Sequence, residues 1–169
     1  MLSPLPFCAV VAASAMLLPA QSGLRVFGYL EADSRNNHTP FAALNVSGWH
    51  TAAIRMDGTA TAFGLDYEGR CELPANPHGA TCVEVAAGSS YTLLRWSDGS
   101  FAAVGVNDRG QGSVPPLPPG LTYTKFAAGI ATSLALRSDG MVVGFGDNSN
   151  GQASAPVLPP GTAYSDIAI

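Results

Sequence analysis

The chain has 169 residues, twelve acidic and eight basic side chains, a net charge of −4 and 47% hydrophobic content, too apolar for a disordered tail and enough for one domain core. The basic residues are scattered, so there is no electrostatic footprint for a phosphate backbone, and direct nucleic-acid binding is excluded as an expectation. Nineteen glycines and thirteen prolines against 12% charged residues favour short strands and tight turns over amphipathic helices.

Residues 1–20 read as a signal peptide or an apolar leader. The run Phe7-Cys8-Ala9-Val10-Val11-Ala12-Ala13 and Met16-Leu17-Leu18 resembles a secretory h-region, with small-residue cleavage positions after Ala15 and Ala20. No Lys or Arg precedes it, which tells against a signal peptide, and it is short for a membrane span, which argues against a membrane partner. The other readings are a buried strand or a mispredicted start. The compartment follows this segment: secreted if it is a signal peptide, otherwise intracellular. Next come two acceptor sequons, Asn37-His38-Thr39 and Asn45-Val46-Ser47, meaningful only after secretion. The second falls in a strand that reads as buried, which leaves Asn37 as the glycan site.

From here the chain repeats. Asp57-Gly58, Asp98-Gly99 and Asp139-Gly140 stand 41 residues apart without gaps. At the same shift Gly64 meets Gly105 and Gly146, and Pro74 meets Pro115 and Pro156. A fixed period of this size signals a solenoid, propeller or array. The repeats run over about 47–87, 88–128 and 129–169, with a degenerate unit over about 23–46 whose Val26-Phe27-Gly28 resembles Ala62-Phe63-Gly64; residues 21–169 form one repeat segment.

Each unit predicts the same elements. An apolar strand, Cys82–Ala87 or Tyr123–Ala128, ends at a bend at Gly88 or Gly129, where the first repeat has Ser47. A second strand, Thr132–Arg137 in the third unit, leads into the Asp-Gly hairpin turn and a third strand, Met141–Gly146. Asp and Gly both suit the positive φ of tight turns. A polar loop then passes to a Pro-rich connection such as Pro115–Gly120, which cannot sit in a ladder and so links blades from outside the sheet. Three strands cannot cover both their faces, so apolar residues such as Leu134 and Leu136 must pack against neighbouring units.

The stretch Ala127-Ala128-Gly129 and Ser133 to Gln152, with Ser-Leu-Ala-Leu-Arg-Ser-Asp-Gly and Gly-Phe-Gly-Asp-Asn-Ser-Asn-Gly-Gln, is similar to the regulator of chromosome condensation repeat. The resemblance covers residues 47–169 and reaches weakly back to about residue 23. It implies an all-β partial propeller of three clear blades and one degenerate blade, each an antiparallel three-stranded sheet. The period is closer to the compact blades of secreted β-lactamase inhibitory propellers than to the longer blades of the nuclear exchange factor. Because propellers close with about four to eight blades, the chain reads as a piece of a longer protein or as a part that closes by oligomerising.

Candidate chemistry is sparse. Asp147-Asn148-Ser149-Asn150-Gly151 superficially suggests a calcium loop, but its counterparts place acids at other positions, and a polar turn accounts for it. His38, His50 and His78 show no metal-ligand or dyad spacing. His50 falls where the resembled family often carries a repeat histidine; Tyr91 and Thr132 take that place in the other units. Gly144-x-Gly146 lacks the third glycine of a phosphate cradle and reads as hairpin packing. Cys71 and Cys82 are near enough in sequence for a disulfide, with two separate half-buried thiols the plainer alternative. No cofactor and no metal are expected.

What varies within the repeated frame is the polar loop: Asp66, Tyr67, Glu68 and Arg70; Asp108, Arg109 and Gln111; Asn148, Asn150 and Gln152. Such loops follow strand ends on one rim, where recognition is commonly carried. The leading expectation is a non-catalytic module binding a protein partner. The alternatives are guanine-nucleotide exchange on a small GTPase by a complete propeller, and secreted enzyme inhibition; fold alone does not choose among them.

Overall fold

The computed structural model describes residues 40–169; the leader, Asn37, His38 and most of the degenerate unit lie outside them. Nine strands form three antiparallel three-stranded sheets in chain order, with no α-helix among the described residues. The first holds β1 (Phe41–Val46), β2 (His50–Arg55) and β3 (Ala60–Gly64). The second holds β4 (Cys82–Ala87), β5 (Tyr91–Trp96) and β6 (Phe101–Gly105). The third holds β7 (Tyr123–Ala128), β8 (Thr132–Arg137) and β9 (Val142–Gly146). Blades meet chiefly through their first two strands, β1, β2, β4, β5 and β7, so the chain bends around an axis beside the first strands, as in an open propeller.

The hydrogen-bonded blade is offset from the sequence repeat. A window such as 47–87 ends in β4, which pairs with β5 of the next window. Tyr164–Ile169 occupies the corresponding place beside the third blade: Tyr164 N donates to Gly140 O at 2.9 Å, as Cys82 N does to Gly58 O at 2.8 Å. The segment joins no ladder among the described residues.

The turns keep the predicted hairpins and divide the work differently. Gly58, Gly99 and Gly140 alone take positive φ, at 79°, 83° and 77°, closing three-residue loops. The aspartates act through their carboxylates: the amides of Thr59 and Ser100 donate to Asp57 and Asp98 at 2.9 Å, and that of Met141 to Asp139 at 3.2 Å. Their value at this position is the Asx-type bond to the residue two ahead.

The apolar cores lie between blades. Ala52 and Ile54 of β2 pack with Val85, Leu94 and Trp96 of the next blade, and Leu93, Tyr91 and Ala86 pack with Phe126, Ala135 and Phe145. The proline links wall these cores from outside through Leu73 and Leu117. A polar relay crosses each seam. Thr92 Oγ1 donates to Arg70 O at 2.8 Å and meets His50 Nε2 at 2.7 Å. One blade on, Ser133 Oγ donates to Gln111 O at 2.7 Å and meets the Tyr91 hydroxyl at 2.7 Å.

At the cysteines the structure has the plainer of the two alternatives, and at Asn45 the reading from spacing needs correction. Cys71 and Cys82 are free thiols: Cys82 belongs to the core with Trp96, while Cys71 sits in the loop after β3, its amide held by Asp66 at 3.0 Å. Asn45 is exposed rather than buried, since no described residue covers the outer face of β1. Its side-chain oxygen accepts the amide of Ala87 at 2.8 Å.

Gly144 faces the backbone of Ala153 with no room for a Cβ. In the second blade the pair is inverted, with Ala103 on the strand facing Gly112 on the loop. In the first blade both positions carry side chains, Ala62 and Cys71, and that loop contains the left-handed non-glycine Glu68, at φ 61°. Thus Gly144→Ala is expected to destabilise by about 1–3 kcal/mol through overpacking, and Gly144→Ala/Ala153→Gly to recover only part of it, because the atoms in the way are the backbone of residue 153. Urea denaturation of both variants checks this.

Candidate protein-binding face

Every blade sends two connections to one rim. The turns from first to second strand, at 47–49, 88–90 and 129–131, stand nearer the axis. The loops leaving the third strands, at 65–72, 106–113 and 147–154, stand outside them. Backbone bonds join the two series: Leu65 N donates to Trp49 O, Val106 N to Ser90 O and Asp147 N to Ala131 O, at 2.8–2.9 Å.

The loops are clasped by one repeated device. Asp66 Oδ1 accepts Cys71 N at 3.0 Å, Asn107 Oδ1 accepts Gly112 N at 2.7 Å and Asn148 Oδ1 accepts Ala153 N at 2.9 Å. Asn107 was absent from the residues singled out in sequence, although its 41-residue register with Asp66 and Asn148 was a visible signal. Asp147 accepts Ser149 N at 3.0 Å, and the Ser149 amide and hydroxyl hold its carboxyl below the usual value. Asp147 Oδ1 and Asn148 Oδ1 of the calcium-like stretch thus accept from their own loop.

The structure divides the ten loop residues. Arg70 and Gln111 are 3% and 1% exposed and belong to the seams. Arg70 donates through Nη1 to Ser89 O at 2.6 Å and through Nε to Tyr67 O at 3.1 Å, while Gln111 Oε1 accepts Arg109 N at 2.9 Å. Asp66, Tyr67, Glu68, Asp108, Arg109, Asn148, Asn150 and Gln152 are exposed. Gln152 repeats the Gln111 contact, accepting Asn150 N at 2.8 Å, and stays open because no described blade covers it.

Between turns and loops lies an open groove of about 770 Å³. Val46, Trp49, Ile130 and Ile169 give it an apolar lining, with Ser89, Asp147 and Gln152 among its polar members. Trp49 is 47% and Ile130 82% exposed, at the tips of the inner turns. Their signal in the sequence is a large apolar residue beside Gly48 and Gly129 in a bend, outside the polar loops.

Ser47 and His50 resemble a nucleophile and base, with Ser47 Oγ 3.0 Å from His50 Nδ1. The arrangement is a cap. Ser47 Oγ is also within bonding distance of the His50 amide and carbonyl, at 3.3 and 3.1 Å, and the other ring nitrogen is engaged by Thr92. Burial, then the nearby Arg70 charge, lowers the His50 pKa to about 4. The Cys71 thiol is pushed up to about 11 by burial and then by Asp66, so it holds little thiolate at neutral pH.

Residues 123–152 match the Regulator of chromosome condensation (RCC1) repeat. Among solved structures, yeast RCC1 (Prp20) bound to Kap60 aligns with TM-score 0.60 and 19% identity over 79% of this chain and 35% of the yeast chain. The CRINKLY WD40 ectodomain of the Arabidopsis thaliana receptor kinase ACR4 gives 0.60 and 17% over 85% of this chain and 48% of its own. Human WBSCR16 gives 0.57 and 15% over 68% and 36%. The likeness is one of fold, and the chain spans less than half of each of these structures. No curated protein matches it in sequence.

His50 yields a pH prediction. Its pKa is lower folded than unfolded, so the unfolded state takes up the proton first. Stability is therefore full above about pH 6.5 and falls toward the folded value of about 4, by up to about 1.4 kcal/mol per pH unit. Melting temperatures measured from pH 7 to 4.5 should fall in the wild type and show a clearly shallower slope in His50→Gln.

Proposed function

We propose, for a chain built of regulator of chromosome condensation type repeats folded as propeller blades, that it is a non-catalytic protein-binding module whose partner docks on the rim bearing the groove. The observation that supports this most is the exposure of Trp49 and Ile130 at the tips of inner turns. Both line the groove on one rim, whereas other exposed large apolar groups, such as Met56, Met141 and Val157, stand beside the Asp-Gly turns or on a proline link. Exposed apolar anchors surrounded by polar residues are the composition of an interface centre and rim. The exposed loop residues, from Asp66 to Gln152, supply that rim. The groups with catalytic chemistry, Ser47, His50 and Cys71, serve the frame instead.

Fold neighbours support a binding role. Yeast Prp20 has been solved bound to Kap60, and its binding to Gsp1p and histones has been described with a second structure. Those partners belong to that protein. For this chain the reading rests on the rim.

The immobilised chain should recover a specific partner from an extract of its source. Trp49→Ala/Ile130→Ser is expected to reduce that recovery about tenfold or more, the scale of a lost hot spot. Val157→Ser, changing an exposed residue of the third proline link, should leave recovery intact. Equal recovery by all three proteins would remove the rim from consideration.

A further inference from the structure

The charges of the described residues are distributed unevenly between the two rims. At the Asp-Gly end, Arg137 pairs with Asp139, and Asp57 is bonded by Thr59 beside Arg55. Along the blades Arg95 pairs with Glu84 at 2.8 Å and Lys125 with Asp166. At the groove end, Asp66, Glu68 and Glu72 are exposed and Asp147 lines the groove. None of these four forms an ion pair among the described residues. The cations near them are Arg109, 4.0 Å from Asp108, and Arg70, which is buried in the seam.

An apolar groove bordered by more carboxylates than cations selects its occupant by charge as well as by shape. A like-charged segment is repelled, a neutral one gains only the apolar contact, and a cationic one gains both contact and steering. Arg and Lys also extend apolar stems along a surface while keeping their heads in water, which suits a site where Trp49 and Ile130 lie within reach of the acidic loops.

Resting on the docking face proposed above, we infer that the occupant is a basic protein segment: a large apolar side chain seated between Trp49 and Ile130 and flanked by Lys or Arg facing Asp66, Glu68, Asp108 and Asp147. The two halves of recognition separate cleanly in substitution. Asn at position 66 keeps the loop clasp, since Asn107 and Asn148 make the same bond in the other blades. Asp66→Asn/Asp108→Asn/Asp147→Asn therefore removes charge while keeping the oxygen acceptors at 66 and 147, and Ile130→Ser removes the apolar contact.

The test uses three synthetic peptides: Leu flanked by Lys and Arg, Leu flanked by Glu and Asp, and the basic peptide with Ser replacing Leu. Binding is read from the indole NMR resonance of exposed Trp49, with buried Trp96 as internal reference. The basic Leu peptide should shift Trp49, bind at least about tenfold more tightly than either other peptide, and weaken as salt is raised. Its affinity should drop about tenfold in the triple Asn variant and in Ile130→Ser. If the acidic Leu peptide binds equally well, or the triple Asn variant loses nothing, the charge assignment is overturned while the docking face stands. If no peptide shifts Trp49, the inference is likewise overturned. Loss of the captured partner in Trp49→Ala/Ile130→Ser then reports separately on the face.

Discussion

The whole architecture depends on the hydroxyl at the second position of each middle strand, Thr92 and Ser133. Each reaches across a seam to a backbone carbonyl of the preceding blade, Arg70 or Gln111, and is met there by the preceding blade's ring, His50 or Tyr91. A single blade buries only part of its apolar surface, and neighbouring blades could slide across an apolar seam at little cost. The relay fixes the slide, because buried polar groups must find their partners. Once each seam is fixed, the turns and loops of successive blades fall on the same rim, and a groove can form between them.

The seams also explain why the repeat tolerates substitution where it does. His50 and Tyr91 differ in size, and the bend before them changes accordingly. Gly88 lies against the Tyr91 ring where a Cβ would collide, whereas Ser47 stands before the smaller His50 and caps it. Ala103 facing Gly112 becomes Gly144 facing Ala153 by the same logic. One volume is conserved across two positions, which neither position shows alone.

Much of the fold was legible because hairpin turns and proline links are local. Asp-Gly and Pro-Pro-Gly act on their own backbone, and their 41-residue recurrence gave strand order and number. The phase of the blade was less so: β4 continues smoothly from the link before it, and only ladder pairing assigns it to the following hairpin. The rim was legible by the same locality, but the role of each side chain was not. Arg70 and Gln111 read as solvated loop residues. Their burial depends on the next blade, a contact more than a dozen residues away in sequence, such as that of Arg70 with Ser89.

Position in the repeat therefore fixes a side chain's geometry, while the neighbouring blade fixes its exposure. Gln111 and Gln152 make the same bond to the amide two residues before them, yet one is enclosed in a seam and the other opens onto the groove. Trp49 and Ile130 stand exposed on the turn tips of the first and third blades, whereas Ser89, on the middle blade's turn, is half-buried and bonded through its backbone to Arg70 and Gly129 of its neighbours. A recognition surface in this architecture is best sought at such tips, where variation costs the seams nothing, and the acidic loops around them can then bias which partner approaches.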